Sequence, residues 1–419
     1  MTTLENLSLG VGKGRNNTVT FLPEPEPRAT KYVVVSVDDH IVEPRDAFEG
    51  RFPAHLADRA PRIIETETGA ESWLFEDRII PNVGTNAVIG RPPSEYSMEP
   101  ARFDYMRPGC YDVDQRVKDM DTCGVWASLC FPSMVAGFAG TRFAEAKDPE
   151  LGLAAVRAWN DWHLEGWCGK YPERFIPQQV TWLKDPLIAA DEIRKNASRG
   201  FRSLSFPEIP ERLGLPSIHS GHWDPILQAC EDTDTVISLH VGSASHLVTG
   251  SKDAPADVIA TLFWVGSTIA VVDWLFSKVA LRYPRLKIAI SEGGIGWVPA
   301  LMDRIDHCFR YKDFTGGWIN EDLHPNEVLQ RNFFFCALDD TAGFEMLQRI
   351  GENNVMVECD YPHADSTWPD TQTYLEKQLG WLPEKTIEKL TWGNASRVYG
   401  FDIAPEAFRR QAAALKQHA

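Results

Sequence analysis

The stretch KYVVVSVDDH (31–40) decides the fold. From Lys31 to Asp38 it is a continuous β-branched run, the composition of a strand buried on both faces of a parallel sheet. It closes on Asp38, Asp39 and His40; because strand side chains alternate, Asp38 and His40 face one side and Asp39 the other. Working outward, comparable apolar runs follow at 125–131, 174–180, 201–206, Val236–His240, 286–291, 332–336 and 355–359. Amphipathic helical stretches separate them, among them 148–171, 223–234, 259–283, 297–311 and 341–350. Strands alternating with helices imply a parallel sheet, and eight such units allow it to close. The expected fold class is therefore α/β, a (β/α)8 TIM barrel. An open doubly wound sheet is the lesser reading, since it would leave the polar residues at the ends of distant strands far apart.

The 419 residues exceed the roughly 250 a barrel needs. Residues 1–31 are polar, carry Pro23, Pro25 and Pro27, and read as an N-terminal arm. The barrel domain is expected over 32–405, with 406–419 as a C-terminal helix or tail. An insertion at 43–116 is too long for a simple crossover; within it ESWLFEDRIIP (71–81) alternates and turns like a hairpin, so the insertion is expected to cap the barrel mouth between strands one and two.

Composition narrows the class. Hydrophobic residues at 43% and charged residues at 24% are globular proportions. The longest apolar stretch, 258–279, contains Asp273 and Lys278 and reads as a buried helix instead of a membrane span. The start MTTLENLSLG lacks a basic segment followed by an apolar core, so a cytoplasmic location is expected. Eight cysteines without a CxxC pair, such as Cys130, Cys336 and Cys359, fit reduced core thiols. On that reading the Asn-x-Ser/Thr triplets at Asn16, Asn196 and Asn394 carry no glycan. A net charge of −17 disfavours nucleic acid and anionic membranes as partners.

The chemistry lies at strand ends. Singly, each residue has an ordinary reading: Asp38 and Asp39 as turn formers, His240 as a satisfied core histidine, Asp360 as a cap for the next turn. Together, Asp38, His40, His240 and Asp360 place metal-ligand residue types at the C-terminal ends of strands one, five and eight, the face where barrels build sites. Imidazole with carboxylate suits zinc, with iron or manganese also compatible. His363, in the loop after Asp360, reads as support behind the ligands, an acid, a substrate contact or a plain loop residue. His219 and His222 read as structural, His246 as a neighbour of the pocket, and Glu208 as meeting substrate or solvent. Fourteen Trp and 21 Phe, with Trp73, Trp297 and Trp368 in expected loops, lean toward a hydrophobic or aromatic substrate.

Six motifs carry a resemblance: VDDHIVEP (37–44), LGLPSIHSGHWDP (213–225), SLHVG (238–242), SEGGIGW (291–297), ECDYPH (358–363) and WGNASR (392–397). In them the chain resembles the amidohydrolase superfamily, in the amidohydrolase 2 branch that also contains metal-dependent aromatic and aminocarboxymuconate-semialdehyde-type decarboxylases. The resemblance spans Val33 to about Phe401 and implies a homodimer, with Asp38, His40, His240 and Asp360 as metal ligands. Two departures stand out. The family's usual first motif is His-x-His, and here its first position is Asp38. The branch decarboxylases carry His-Gly-Gly after strand six, where this chain has Glu292-Gly293-Gly294. A carboxylate with an ordinary pKa of about 4.3 stays charged beside a metal and cannot replace that imidazole. Glu292 is thus read as a further ligand, helping to hold a second ion, or as a base for water; its ordinary reading is a carboxylate favoured by the dipole of a helix starting near Trp297.

One or two divalent ions per chain, zinc first, and a hydrophobic or aromatic acyl substrate are therefore expected. The leading expectation is hydrolysis of an ester, thioester or amide: metal lowers the pKa of water from ~15.7 toward ~7, and Asp360 orients it and passes its proton on. The second is non-oxidative decarboxylation of an aromatic or unsaturated acid with His363 as proton donor. The third is a metal-binding barrel without catalysis.

Overall fold

A computed structural model describes residues 2–3, 19–67, 69–97, 102–318 and 321–418. Much of the expected arm over 1–31 lies outside the described residues. Each of the eight expected strands is present: Val35–His40, Ala127–Phe131, Phe175–Ile176 with Gln178–Val180, Ser203–Pro207, Val236–His240, Ile288–Ser291, Phe333–Ala337 and Val355–Val357. The third is split at Pro177, which has no N–H to give to a ladder.

The described residues fall into two compact units. One gathers 2–3, 185–358 and 375–401; the other gathers those from 19 to 184, 359–374 and those from Asp402 on. In the first unit the strands from Ser203–Pro207 to Val355–Val357 lie side by side in sequence order. They pair in parallel, with Val236 opposite Ser203, Ile237 opposite Ile288, Ile288 opposite Phe333 and Phe335 opposite Val355. Parallel pairing puts all their C-terminal ends on one edge, so His240 lies in register with Ser291 and next to whatever follows it. In the second unit Val35–His40 pairs in parallel with Ala127–Phe131, His40 opposite Phe131, and the register shifts between Ser36 and Asp39.

The insertion holds more than the expected hairpin. Arg62–Glu65, Glu71–Phe75 and Arg78–Pro81 form a three-stranded antiparallel sheet. Glu71 ties it to its flanks, accepting from Arg45 Nη2 at 2.7 Å and Phe103 N at 2.9 Å.

Helix boundaries follow their caps. Asp112 accepts from Asp114 N and Gln115 N to start Val113–Cys123, which ends at Gly124 with φ 72°. Asp148-Pro149 opens Pro149–Trp162, and Asp185-Pro186 opens Pro186–Arg199, which ends at Gly200 with φ 112°. The long helix expected over 259–283 is three shorter ones, Ala256–Thr261, Phe263–Phe276 and Val279–Arg282. Lys278, at a left-handed φ of 61°, separates the last two. Among the described residues no helix is long and apolar enough to cross a membrane. Helix 405–418 occupies the C-terminal segment.

The Asp185 carboxylate bonds Leu187 N at 2.9 Å and Ile188 N at 3.1 Å. Asp185→Ala is expected to cost about 1 kcal/mol in urea denaturation, with an unchanged slope. A loss below a few tenths would show that tertiary packing alone sets this helix start.

Candidate metal centre

In the second unit the end of Val35–His40 is built by alternation. Asp38 and His40 are 0% and 1% exposed. Asp39, turned the other way as expected, accepts from Ser36 Oγ at 3.1 Å, Tyr361 N at 2.9 Å and the Ser128 hydroxyl. Burial pushes its carboxyl up to about 6, against the pull of the Arg116 charge and these donors. The 359–363 segment lies along the same strand end. Cys359 N donates to Ser36 Oγ at 2.8 Å, Asp360 N to Asp38 O at 2.9 Å, and His40 N to Tyr361 O at 2.6 Å. These bonds hold Asp360, fully buried, at a left-handed φ of 54°, a conformation Asp tolerates better than most residues.

The result is a tight donor cluster. His40 Nε2 is 3.4 Å from Asp38 Oδ1 and 3.3 Å from Asp360 Oδ1. His363 Nδ1 is 3.2 Å from Asp360 Oδ1, and its ring stacks on His40 with centroids 3.6 Å apart. Arg116, also buried, donates to His40 O and to Gly109 O at 2.8 Å, with its guanidinium 4.2 Å from the Tyr361 ring centroid. Two desolvated carboxylates meeting one imidazole nitrogen require a compensating positive charge. His40, Asp360 and His363 each offer a ligand atom, all within 4.8 Å of one another. Donors ~2.1 Å from a shared ion stand ~3.0–3.4 Å apart in octahedral or tetrahedral arrangement. The residues therefore fit a divalent cation.

In the first unit His240, also fully buried, donates from Nδ1 to Val241 O at 2.7 Å. That bond leaves Nε2 to face Glu292 Oε2 at 3.1 Å. Glu292 sits at φ 52°, just after Ile288–Ser291, and its N–H donates to Glu358 Oε2 at 3.2 Å. The helix-dipole reading of Glu292 is set aside by this placement. Helix Val298–Phe309 begins beyond it, and Asp340 accepts the intervening Ile295 N at 2.9 Å and Gly296 N at 3.3 Å.

Other expectations change as well. Glu208 is not open to solvent: it is buried and accepts from Gly242 N at 3.1 Å, Ala244 N at 2.7 Å and the Ser243 hydroxyl, bracing the turn after His240. Burial raises its pKa. His219 pairs with Asp273 at 2.7 Å near the surface, and His222 packs edge-on against Trp223. His246 Nδ1 bonds Ala244 O at 2.8 Å. Trp73, Trp297 and Trp368 are buried, the last two donating to Gly293 O and Asp119 O, so they pack as core residues. The rings beside the centre are Phe131 and Phe138, 5.7 Å and 5.0 Å from His40. Sequence reasoning missed Phe138, and also Glu43, a buried carboxylate that accepts from Ser133 N and Trp159 Nε1. The signal for Phe138 was a glycine on each side, at 137 and two positions on at 140.

Comparison with known proteins bears on both family and reaction. The amidohydrolase family profile matches residues 92–401. A 2-amino-3-carboxymuconate-6-semialdehyde decarboxylase of Dictyostelium discoideum is 22% identical over 307 residues, 72% of this chain and 80% of that protein. The fold is similar to that of 5-carboxyvanillate decarboxylase from Sphingomonas paucimobilis, with TM-score 0.61 at 19% identity over 88% and 99% of the two chains. It is also similar to a dihydroxybenzoic acid decarboxylase from Polaromonas sp. JS666 crystallised with manganese and 2-nitroresorcinol, with TM-score 0.59 at 18% identity over 90% and 98%. These relatives overturn the expected hydrolysis of an ester, thioester or amide. That expectation rested on the retained ligands together with the missing strand-six histidine; in the structure Glu292 Oε2 lies 3.1 Å from His240 Nε2. With most of its length matched, the chain belongs to the amidohydrolase 2 family.

Proposed function

We propose that the chain is a metal-dependent decarboxylase that removes CO2 without oxidation from an aromatic or unsaturated carboxylic acid. The reading is carried by one observation: the buried Asp38, His40 and Asp360 cluster, with donors 3.3–3.4 Å apart, occurs in a chain whose relative is a decarboxylase over 80% of that protein's length. We further propose that the strands close into a (β/α)8 barrel over 32–405, with 43–116 as its cap and the segments 1–31 and 406–419 outside it. Closure brings the C-terminal ends of all strands to one mouth.

In this reading Asp38, His40, His240 and Asp360 hold a single ion, and Glu292 adds a carboxylate beside His240. Zinc, iron and manganese each suit imidazole with carboxylate. When bound, the ion supplies the positive charge that anchors the substrate's acidic oxygens. The chain's own residues do the proton work. His363, its Nδ1 held at 3.2 Å by Asp360 Oδ1, carries the proton that the missing strand-six imidazole cannot supply. It delivers that proton to the carbon bearing the carboxylate. The bond to the carboxylate then breaks, its electron pair stays with the protonated carbon, and CO2 leaves.

Asp38→Ala, His240→Ala and Asp360→Ala are each expected to lower the bound metal found by elemental analysis well below the wild type, whose content should lie near a single ion per chain, with circular dichroism unchanged. Full metal retention in all three would remove the proposed ligand set.

His363→Asn separates proton delivery from metal binding. It is expected to keep its metal and to lower kcat for CO2 release by about 10²–10⁴-fold, the usual range for a lost general acid. Metal loss in parallel with activity would instead make His363 a ligand.

A further inference from the structure

The loop after Ala127–Phe131 is tied down by hydrogen bonds and close contacts. It runs PSMVAGFAG (132–140), and its root is tied to a buried carboxylate: Ser133 N donates to Glu43 Oε1 at 3.0 Å and the Ser133 hydroxyl to the other oxygen. Glu43 is fixed in turn by Trp159 Nε1 at 2.8 Å. Farther along, Gly137 N donates to Ser133 O at 2.9 Å and Arg142 N to Ala136 O at 3.1 Å. Gly137 and Gly140 take left-handed φ values of 68° and 74°. Neither site has slack: a Cβ at Gly137 would lie 2.5 Å from Thr141 Oγ1, and one at Gly140 3.1 Å from Thr181 O.

Between them Phe138 is driven to φ 29°, a conformation that a bulky residue rarely adopts and that is strained. Such strain persists where surrounding structure over-determines it, and it tends to occur at ligand sites. Here it aims a flat apolar ring at the donor cluster. The Phe138 centroid is 5.0 Å from His40 and 6.1 Å from His363, lying 25° from parallel with the latter. The neighbouring Phe131 is completely buried, whereas Phe138 is only partly so and keeps part of its surface open.

We propose that Phe138 is the platform on which the substrate's ring stacks, making it a specificity-determining residue that selects planar aromatic acids over saturated ones. The inference rests on the decarboxylase reading for the identity of the acid. An acid whose carboxylate approaches the His40 cluster brings its ring alongside Phe138, and offset stacking of two rings contributes about 0.5–1.5 kcal/mol beyond area burial. A saturated ring of equal size gains the area and loses the stacking.

The test measures binding as well as turnover, on the metal-loaded full chain, by calorimetry with 2-hydroxybenzoate and cyclohexanecarboxylate. Phe138→Leu, which keeps apolar bulk, is expected to weaken the aromatic acid about three- to tenfold and the saturated acid less than about twofold. Phe138→Tyr should restore aromatic binding, and metal content should not change. Equal loss for both acids, no loss for either, or no binding of 2-hydroxybenzoate by the wild type would overturn the proposal. Ring-selective loss without any CO2 release would support the platform while sinking the decarboxylase reading. CO2 release from an aromatic acid with a KM indifferent to Phe138→Leu would sink the platform alone.

Discussion

The centre depends on two carboxylates, Asp38 and Asp360, buried completely against one imidazole. Removing an ionised carboxylate from water costs several kcal/mol even after relaxation, and two on one nitrogen add their repulsion. The surrounding structure is arranged to hold them there. Two backbone hydrogen bonds and two from backbone N–H groups to the Ser36 and Asp39 side chains lace 359–361 to the Val35–His40 strand, and the buried Arg116 guanidinium donates to His40 O. A divalent cation supplies the compensation that hydrogen bonds alone do not, which is why the donor chemistry points to a metal and not to a structural ion pair.

Each unit braces a loop beside the polar cluster by the same device, a buried glutamate gripping the turn after a neighbouring strand. Glu208 reaches across 34 residues to Gly242, and Glu43 across 90 to Ser133. With its turn braced, His240 keeps Nδ1 on Val241 O and so presents Nε2. An imidazole oriented in this way would lose little freedom on meeting an ion.

What the sequence disclosed follows from what is local. The β-branched runs located all eight strands, and the period of two correctly turned Asp38 and His40 to one side and Asp39 to the other. The helix start at Asp148-Pro149 was legible, an acidic cap followed by a proline. Hidden were features decided by distant partners. Glu208 and Glu43 look like surface acids because nothing near them in sequence reveals burial, and Trp73, Trp297 and Trp368 look like pocket walls until their core contacts are seen. The reaction was misjudged for a related reason. One substitution, Glu292, was given more weight than the second reading, in which His363 supplies the proton; His363 Nδ1 lies 3.2 Å from Asp360 Oδ1.

The central claim is that a carbon–carbon bond to a carboxylate is broken and replaced by a carbon–hydrogen bond. The most direct measurement is turnover of 2,6-dihydroxybenzoate and 5-carboxyvanillate by the metal-loaded chain in D2O, with the products read by mass spectrometry and NMR. Decarboxylation predicts release of CO2 and one solvent deuterium at the vacated carbon. A product that retains its carboxylate, carries no new C–D bond and releases no CO2 would contradict the account.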